Sequence, residues 1–148
     1  MQPRRLVNKQ LGELLIERNI LSQEQLAKAL LVQKEKGGLI GEILVELGFV
    51  REEEIAQTLT AQYGFPYLPL ANYEIDQEII GIIPSRVAKQ YLIIPVDKIG
   101  TNLTLAMSNP LNLQAIEDVE LLSGCSIQTF VSTSSDIKKA IEKYYKDK

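Results

Sequence analysis

Residues 10–33 read QLGELLIERNILSQEQLAKALLVQ, and residues 39–62 read LIGEILVELGFVREEEIAQTLTAQ. Five residues, KEKGG, separate the two. Aligned at Gly12 and Gly41, eight of the 24 positions are identical: Gly12/Gly41, Glu13/Glu42, Leu15/Leu44, Glu17/Glu46, Glu24/Glu53, Ala27/Ala56, Leu30/Leu59 and Gln33/Gln62. Other positions exchange one aliphatic for another, as Leu14/Ile43, Ile16/Val45 and Leu26/Ile55 do. Each copy reads as two short helices. Leu11, Leu14, Leu15 and Arg18 fall at helical spacing in the first. Asn19, matched by Gly48, marks a break, because both types tolerate the left-handed backbone that ends helices. Ser22 with Gln25 is a capping-box signal for the next helix. Its counterpart Arg51 caps poorly, so that start rests on residues 52–54, three glutamates at the positive helix end. Leu26, Leu30 and Gln33 share one face at i, i+4 and i+7, as do Ile55, Leu59 and Gln62.

Leucines at this spacing read as core. The paired glycines and glutamines ask for more. A Gly inside a helix weakens it by about 1 kcal/mol relative to Ala, unless a close approach needs the missing side chain. Near a helix start it also brings backbone N–H groups close to whatever docks there, and those groups favour anions. A Gln closing each apolar face supplies both donor and acceptor. Two such half-sites suit a ligand with two flat rings and two anionic groups.

Bulk properties narrow the field. The chain has 148 residues, 45% of them hydrophobic, and a net charge of -3. Those values fit one ordinary domain or two small ones and disfavour general nucleic-acid binding. The local cations Arg4, Arg5 and Lys9 are the exception. There is one cysteine, Cys125, and no histidine. An intrachain disulfide, a His- or multi-Cys zinc site and a His-activated nucleophile are therefore excluded. No apolar run reaches the length of a membrane span, and no signal peptide opens the sequence. The expected location is cytoplasmic, with no membrane insertion.

The second half changes period. Residues 63–74, YGFPYLPLANYE, read as a linker or edge segment. IDQEIIGIIP and PSRVAKQY read as short helices, the second started by Pro84. LIIPVDKIG and TNLTLAMS flank Gly100 as a hairpin. NLQAIEDVELLSG is a helix ended by Gly124, CSIQTFV a strand, and SSDIKKAIEKYY a helix capped by Ser134, Ser135 or Asp136. The expected fold is α+β. A four-helix tandem-repeat subdomain spans 1–65, and a small ββαβα lobe spans 66–148. Cys125 reads as buried, and Tyr144 and Tyr145 read as packing for the last helix. The phosphate-loop pattern GxxxxGK[ST] is absent, and no acid, base, metal or nucleophile constellation forms, so no enzyme and no cofactor is expected. A DNA-reading helix-turn-helix is disfavoured by Glu52, Glu53 and Glu54 on the second helix of copy two.

The double pattern Leu-Gly-x-x-Leu … Leu-x-x-x-Leu-x-x-Gln, with its five-residue spacer, resembles the MshEN domain of type II secretion and type IV pilus assembly ATPases. IPSRVAKQYLIIPV, LTLAMSNPLN and STSSDIKKAIEKYY resemble the same region. Many members of that family bind cyclic di-GMP through the tandem motif. The resemblance implies ligand contacts at Leu11, Gly12, Leu15, Leu26, Leu30 and Gln33, and at Ile40, Gly41, Leu44, Ile55, Leu59 and Gln62. Gln10 and Leu39, which precede the two motifs, are expected as ligand contacts too. An Arg commonly stands where Gln10 does, and here Lys9, Arg5 and Arg4 are the nearby cations. Ser108-Asn109-Pro110 stands where the family usually has Asp-Pro, and Asn109 keeps the capacity to bond a guanine edge. The resemblance implies a regulatory module of such an ATPase, with cyclic di-GMP and the ATPase core as partners. The alternative it carries is a domain that docks an inner-membrane platform protein without binding nucleotide. Either role would keep the domain peripheral to that membrane through its partners.

Overall fold

The computed structural model describes residues 10–145. Arg4, Arg5 and Lys9 lie outside them. The two copies fold as two matching helix pairs: α1 (Leu11–Glu17) with α2 (Gln23–Lys36), then α3 (Ile40–Glu46) with α4 (Glu52–Tyr63). The short helices end alike. Asn19 and Gly48 have φ of 62° and 79°. The Ile20 N–H donates to the Leu15 carbonyl at 3.0 Å, and the Phe49 N–H donates to the Leu44 carbonyl at 3.0 Å. The duplication is thus copied down to its backbone bonds.

The helix starts follow local chemistry. Ser22 and Gln25 form the full reciprocal box, at 3.1 Å and 3.0 Å. At α4 the Arg51 N–H donates to Glu54 Oε1 at 2.8 Å, so Glu54 acts through a specific bond and not only through its charge. Glu52 leaves its own helix start and accepts from the Ser135 N–H and hydroxyl, at 2.8 Å and 2.6 Å.

A 3-10 turn (Leu70–Asn72) and the short helices α5 (Gln77–Ile80) and α6 (Ser85–Tyr91) lead into the sheet. Strands β1 (Ile93–Ile99) and β2 (Asn102–Met107) form an antiparallel hairpin. Helix α7 (Leu113–Ser123) crosses over to β3 (Ser126–Val131), which pairs with β2 in parallel, and α8 (Ser134–Tyr144) closes the chain. The order is β1-β2-β3, so the parallel pair sits beside the hairpin. Pro95 falls on the edge strand β1, where a missing N–H is tolerated. Residues 66–68 lie along β3: the Leu68 N–H donates to the Val131 carbonyl at 2.9 Å, and the Val131 N–H donates to the Pro66 carbonyl at 2.8 Å. That stretch is an edge segment and not a free linker. The cap of α8 is Thr133, one residue before the expected Ser134, with its hydroxyl accepting from the Asp136 N–H.

Two hydrophobic clusters form. One gathers Leu11, Leu14, Leu15, Leu44, Ile55 and Leu59 from the repeat, and it recruits Val131 from β3. The other fills the sheet lobe with Ile83, Ile93, Ile94, Leu103, Leu105, Met107 and Ile137. Full burial of one such aliphatic side chain stabilises by about 1.5–3 kcal/mol. Tyr144 and Tyr145 serve the second cluster. The Tyr144 hydroxyl bonds Ile75 and Tyr73 backbone, and that of Tyr145 donates to the Ile83 carbonyl at 2.9 Å. Cys125 is buried, as its place at the head of a strand suggested.

Candidate binding cleft

A cleft of about 430 Å³ opens between the helical repeat and the sheet lobe. The repeat contributes Gln10 and Leu11 from the start of α1, Gln33 from α2, Leu39 to Glu42 from the start of α3, and Glu52, Ile55 and Ala56 from α4. The lobe contributes Tyr91, the β2–α7 loop with Ser108, Asn109, Leu111 and Asn112, and the β3–α8 junction with Ser132, Thr133 and Ser134. Both loops leave the carboxyl ends of the parallel strands β2 and β3. Such ends are where α/β sheets commonly receive ligands.

The sequence-predicted residues separate into groups. Gln10, Leu11, Gln33, Leu39, Ile40, Gly41, Ile55 and Asn109 meet at the cleft. Leu15, Leu44 and Leu59 are fully buried behind it in the repeat's core. Leu26 packs partly buried on that core and covers Gly12. A Cβ at Gly12 would stand 2.6 Å from Leu26 Cδ1, and one at Gly41 would stand 3.3 Å from Leu11 Cδ2. Both glycines therefore have a packing reason, and the Leu11–Gly41 contact sets the starts of α1 and α3 side by side. Leu30 is 47% exposed. Gln62 is exposed as well, and its Oε1 accepts from Arg18 at 3.3 Å. Gln33 differs: its Nε2 donates to the Gly38 carbonyl at 2.9 Å, which leaves Oε1 as an acceptor beside the cleft.

The lobe's polar groups are oriented by their own backbone. Asn109 Oδ1 accepts from the Leu111 N–H at 3.1 Å, and Asn112 Oδ1 caps α7 by accepting from the Ala115 N–H at 3.2 Å. With each oxygen engaged, each side-chain amide keeps its nitrogen as a donor. The Tyr91 hydroxyl donates to Asp118, and that bond, followed by burial, pushes the phenol's pKa up and keeps it neutral. The acidic lining is tied down. Glu42 pairs with Lys138 of α8 at 2.5 Å, and Glu52 holds Ser135. Lys138 is in turn held protonated to higher pH, first by its bond to Glu42. Among the described residues, no lysine or arginine lines the cleft.

Reading the repeat alone missed Tyr91, Asn112, Ser132 and Thr133. The ββαβα order held a signal for the last three, since two βα junctions on adjacent parallel strands must fall at one end of the sheet.

The MshEN domain family matches residues 63–148. The chain belongs to the MshEN domain family. The match lies on the sheet lobe and its approach. The chain is 38% identical over 138 residues to the type IV pilus assembly ATPase PilB of Myxococcus xanthus, covering 93% of this chain and 24% of that protein. It is 32% identical to PilB of Thermus thermophilus, covering 93% of this chain and 16% of that one. The chain thus spans a quarter or less of the length of these two relatives. Among solved structures, MshE with cdg superposes with a TM-score of 0.68 at 28% identity, covering 93% of this chain and 100% of that one. The N-terminal domain of XpsE superposes with a TM-score of 0.75 at 26% identity, covering 98% of each. The α+β architecture is that of the XpsE N-terminal domain. Among the described residues, no helix is long and apolar enough to cross a membrane.

Proposed function

We propose that the cleft binds cyclic di-GMP and that binding regulates a type IV pilus or type II secretion ATPase of which this MshEN domain is part. The supporting observation is the convergence of both repeat copies on one cleft, in a family whose solved member MshE was determined with cdg, read as cyclic di-GMP. The volume fits a small-molecule site. Leu11, Leu39, Ile40 and Ile55 supply apolar walls for the bases. Gln10, Gln33 and Asn109 supply hydrogen-bonding groups, and Gly41 keeps the wall thin. Gly12, Leu15, Leu26, Leu44 and Leu59 hold the two helix starts from behind. The domain itself does no chemistry in this reading; it reports ligand to the ATPase core from the cytoplasmic side. Calorimetric titration of the purified chain with cyclic di-GMP tests it. Saturable heat and a thermal upshift support it, and neither signal at tens of micromolar ligand removes it.

In this reading the candidates for countercharge to the phosphates are Lys9, Arg5 or Arg4, which precede Gln10 in the sequence and lie outside the described residues. Replacing all three with Ala lowers affinity and flattens its salt dependence.

The absence of described cations from the cleft lining, together with Glu42 and Glu52 in it, favours a second reading. There the domain docks a platform protein at the inner membrane without nucleotide, a role open also to a chain that resembles the XpsE N-terminal domain. Pull-down with the platform protein's cytoplasmic part, equally strong with and without cyclic di-GMP and in a Gln33→Ala variant, supports it.

A further inference from the structure

We infer that Tyr91 is a contact residue of this cleft, a fixed aromatic wall on which one base of a bound nucleotide stacks; the inference rests on the cyclic di-GMP reading. Tyr91 is the last residue of α6 and comes from outside the repeat. Among the described residues it is the one aromatic side chain lining the cleft. Its hydroxyl donates to Asp118 of α7, and the other oxygen of Asp118 accepts from Gln114 Nε2 at 2.9 Å. The phenol is therefore anchored from behind by two side chains of one helix. The backbone fixes it too. Leu92, the next residue, takes a left-handed conformation at φ 58°, unusual for a residue other than Gly, and it is held there by burial. That turn ends α6 abruptly and sets the point from which Tyr91 faces the cleft.

Three other tyrosines are engaged elsewhere. The hydroxyls of Tyr144 and Tyr145 hold backbone groups of residues 73–83. Tyr63 packs edge-on against Phe65. Tyr91 alone combines an anchored hydroxyl with a place on the cleft. The helical side supplies Leu39, Ile40 and Ile55. A flat base held between an aliphatic wall and an aromatic one gains stacking, and the two carboxylates of the lining, Glu42 and Glu52, are already engaged by Lys138 and Ser135.

The chain has six tyrosines and no tryptophan, so its emission reports tyrosine surroundings. Cyclic di-GMP is titrated by calorimetry and by fluorescence into the wild-type chain and into Tyr91→Leu, Tyr91→Phe and Tyr91→Trp. Tyr91→Leu is expected to weaken binding about tenfold or more, while Tyr91→Phe, which keeps the ring, stays within a few-fold. Tyr91→Trp is expected to show emission quenched by the ligand, a signal that a merely structural residue would not give. Wild-type binding with undiminished affinity in a folded Tyr91→Leu overturns the inference and leaves the cyclic di-GMP reading intact. If Tyr91→Leu does not fold, unquenched emission in a ligand-saturated Tyr91→Trp overturns it equally. No binding by the wild-type chain removes both.

Discussion

Leu30 and Leu59 occupy the same position of the two repeats, yet Leu30 is 47% exposed and Leu59 is 0% exposed. The same divergence runs through the copies. Of the 14 residues of α2 only Ala29 is buried, whereas the 12 of α4 bury Ile55, Ala56, Thr58 and Leu59. Gln33 borders the cleft and Gln62 pairs with Arg18 on the surface. Glu13 accepts from the N–H of Gln10 in its own helix cap, and Glu42 reaches across to Lys138 of α8. The cause lies outside the repeat. α4 packs on β3, whose Val131 joins the helical cluster, so α4 is sandwiched while α2 faces outward. The short helices do not follow, since α1 buries Leu11, Gly12, Leu14 and Leu15 and α3 buries Ile43 and Leu44. One phrase written twice therefore gives two backbones of the same design and two different sets of side-chain duties.

The largest expected difference between the copies is in stability. Leu59→Ala removes a fully buried side chain and is expected to cost about 2–5 kcal/mol, through lost transfer energy and the cavity left behind. Leu30→Ala is expected to change stability by no more than about 0.5 kcal/mol. Urea unfolding of the two variants measures both. Equal losses would mean that α2 is covered as α4 is, and the asymmetry would be gone.

Ligand binding is the next test. Gln33→Ala is expected to weaken cyclic di-GMP by roughly fivefold to tenfold, the scale of one hydrogen bond lost together with its link to Gly38. Gln62→Ala is expected to leave affinity unchanged. A matching loss from Gln62→Ala would restore a symmetric site and would require both glutamines to reach the ligand.

The backbone of this molecule was legible because local signals decided it. The Asn19 and Gly48 breaks, the Ser22–Gln25 box, the hairpin at Gly100 and the stop at Gly124 all act within a few residues, and each stands where its chemistry puts it. The site was legible by halves. Apolar periodicity names Leu15, Leu44 and Leu59 but cannot tell a ligand wall from a core, because both ask for the same residue type at the same spacing. Gly12 shows this well: an apparent opening for a ligand is filled by Leu26 of the same copy. The cleft's far side depended on which loops the sheet brings to one end. Asn112 and Thr133 are ordinary helix caps until β2 and β3 pair in parallel and deliver them to the same cleft. Tyr91 carried no local signal at all, since its place depends on Asp118, 27 positions away.

The smallest expected effect separates Glu13 from Glu42. The Lys138 side chain is 53% exposed, so the Glu42–Lys138 pair is worth less than about 1 kcal/mol at neutral pH. Its mark is the pH dependence. The folded pKa of Lys138 is raised above its usual 10.5, chiefly by the bond to Glu42. The folded state then holds the proton more tightly than the unfolded one. The stabilisation is complete below pH 10.5 and is lost as pH rises through the folded value. Glu42→Gln removes the negative charge that strengthens that bond, so its unfolding free energy should fall less steeply than the wild type's on the alkaline side. Glu13→Gln, at the matching position of copy one, weakens a local cap and should leave the alkaline slope as it was. Parallel alkaline limbs for the wild type and Glu42→Gln, followed by urea unfolding from neutral pH upward, would mean that the cross-lobe pair does not form in solution. The two glutamates would then do the same local work.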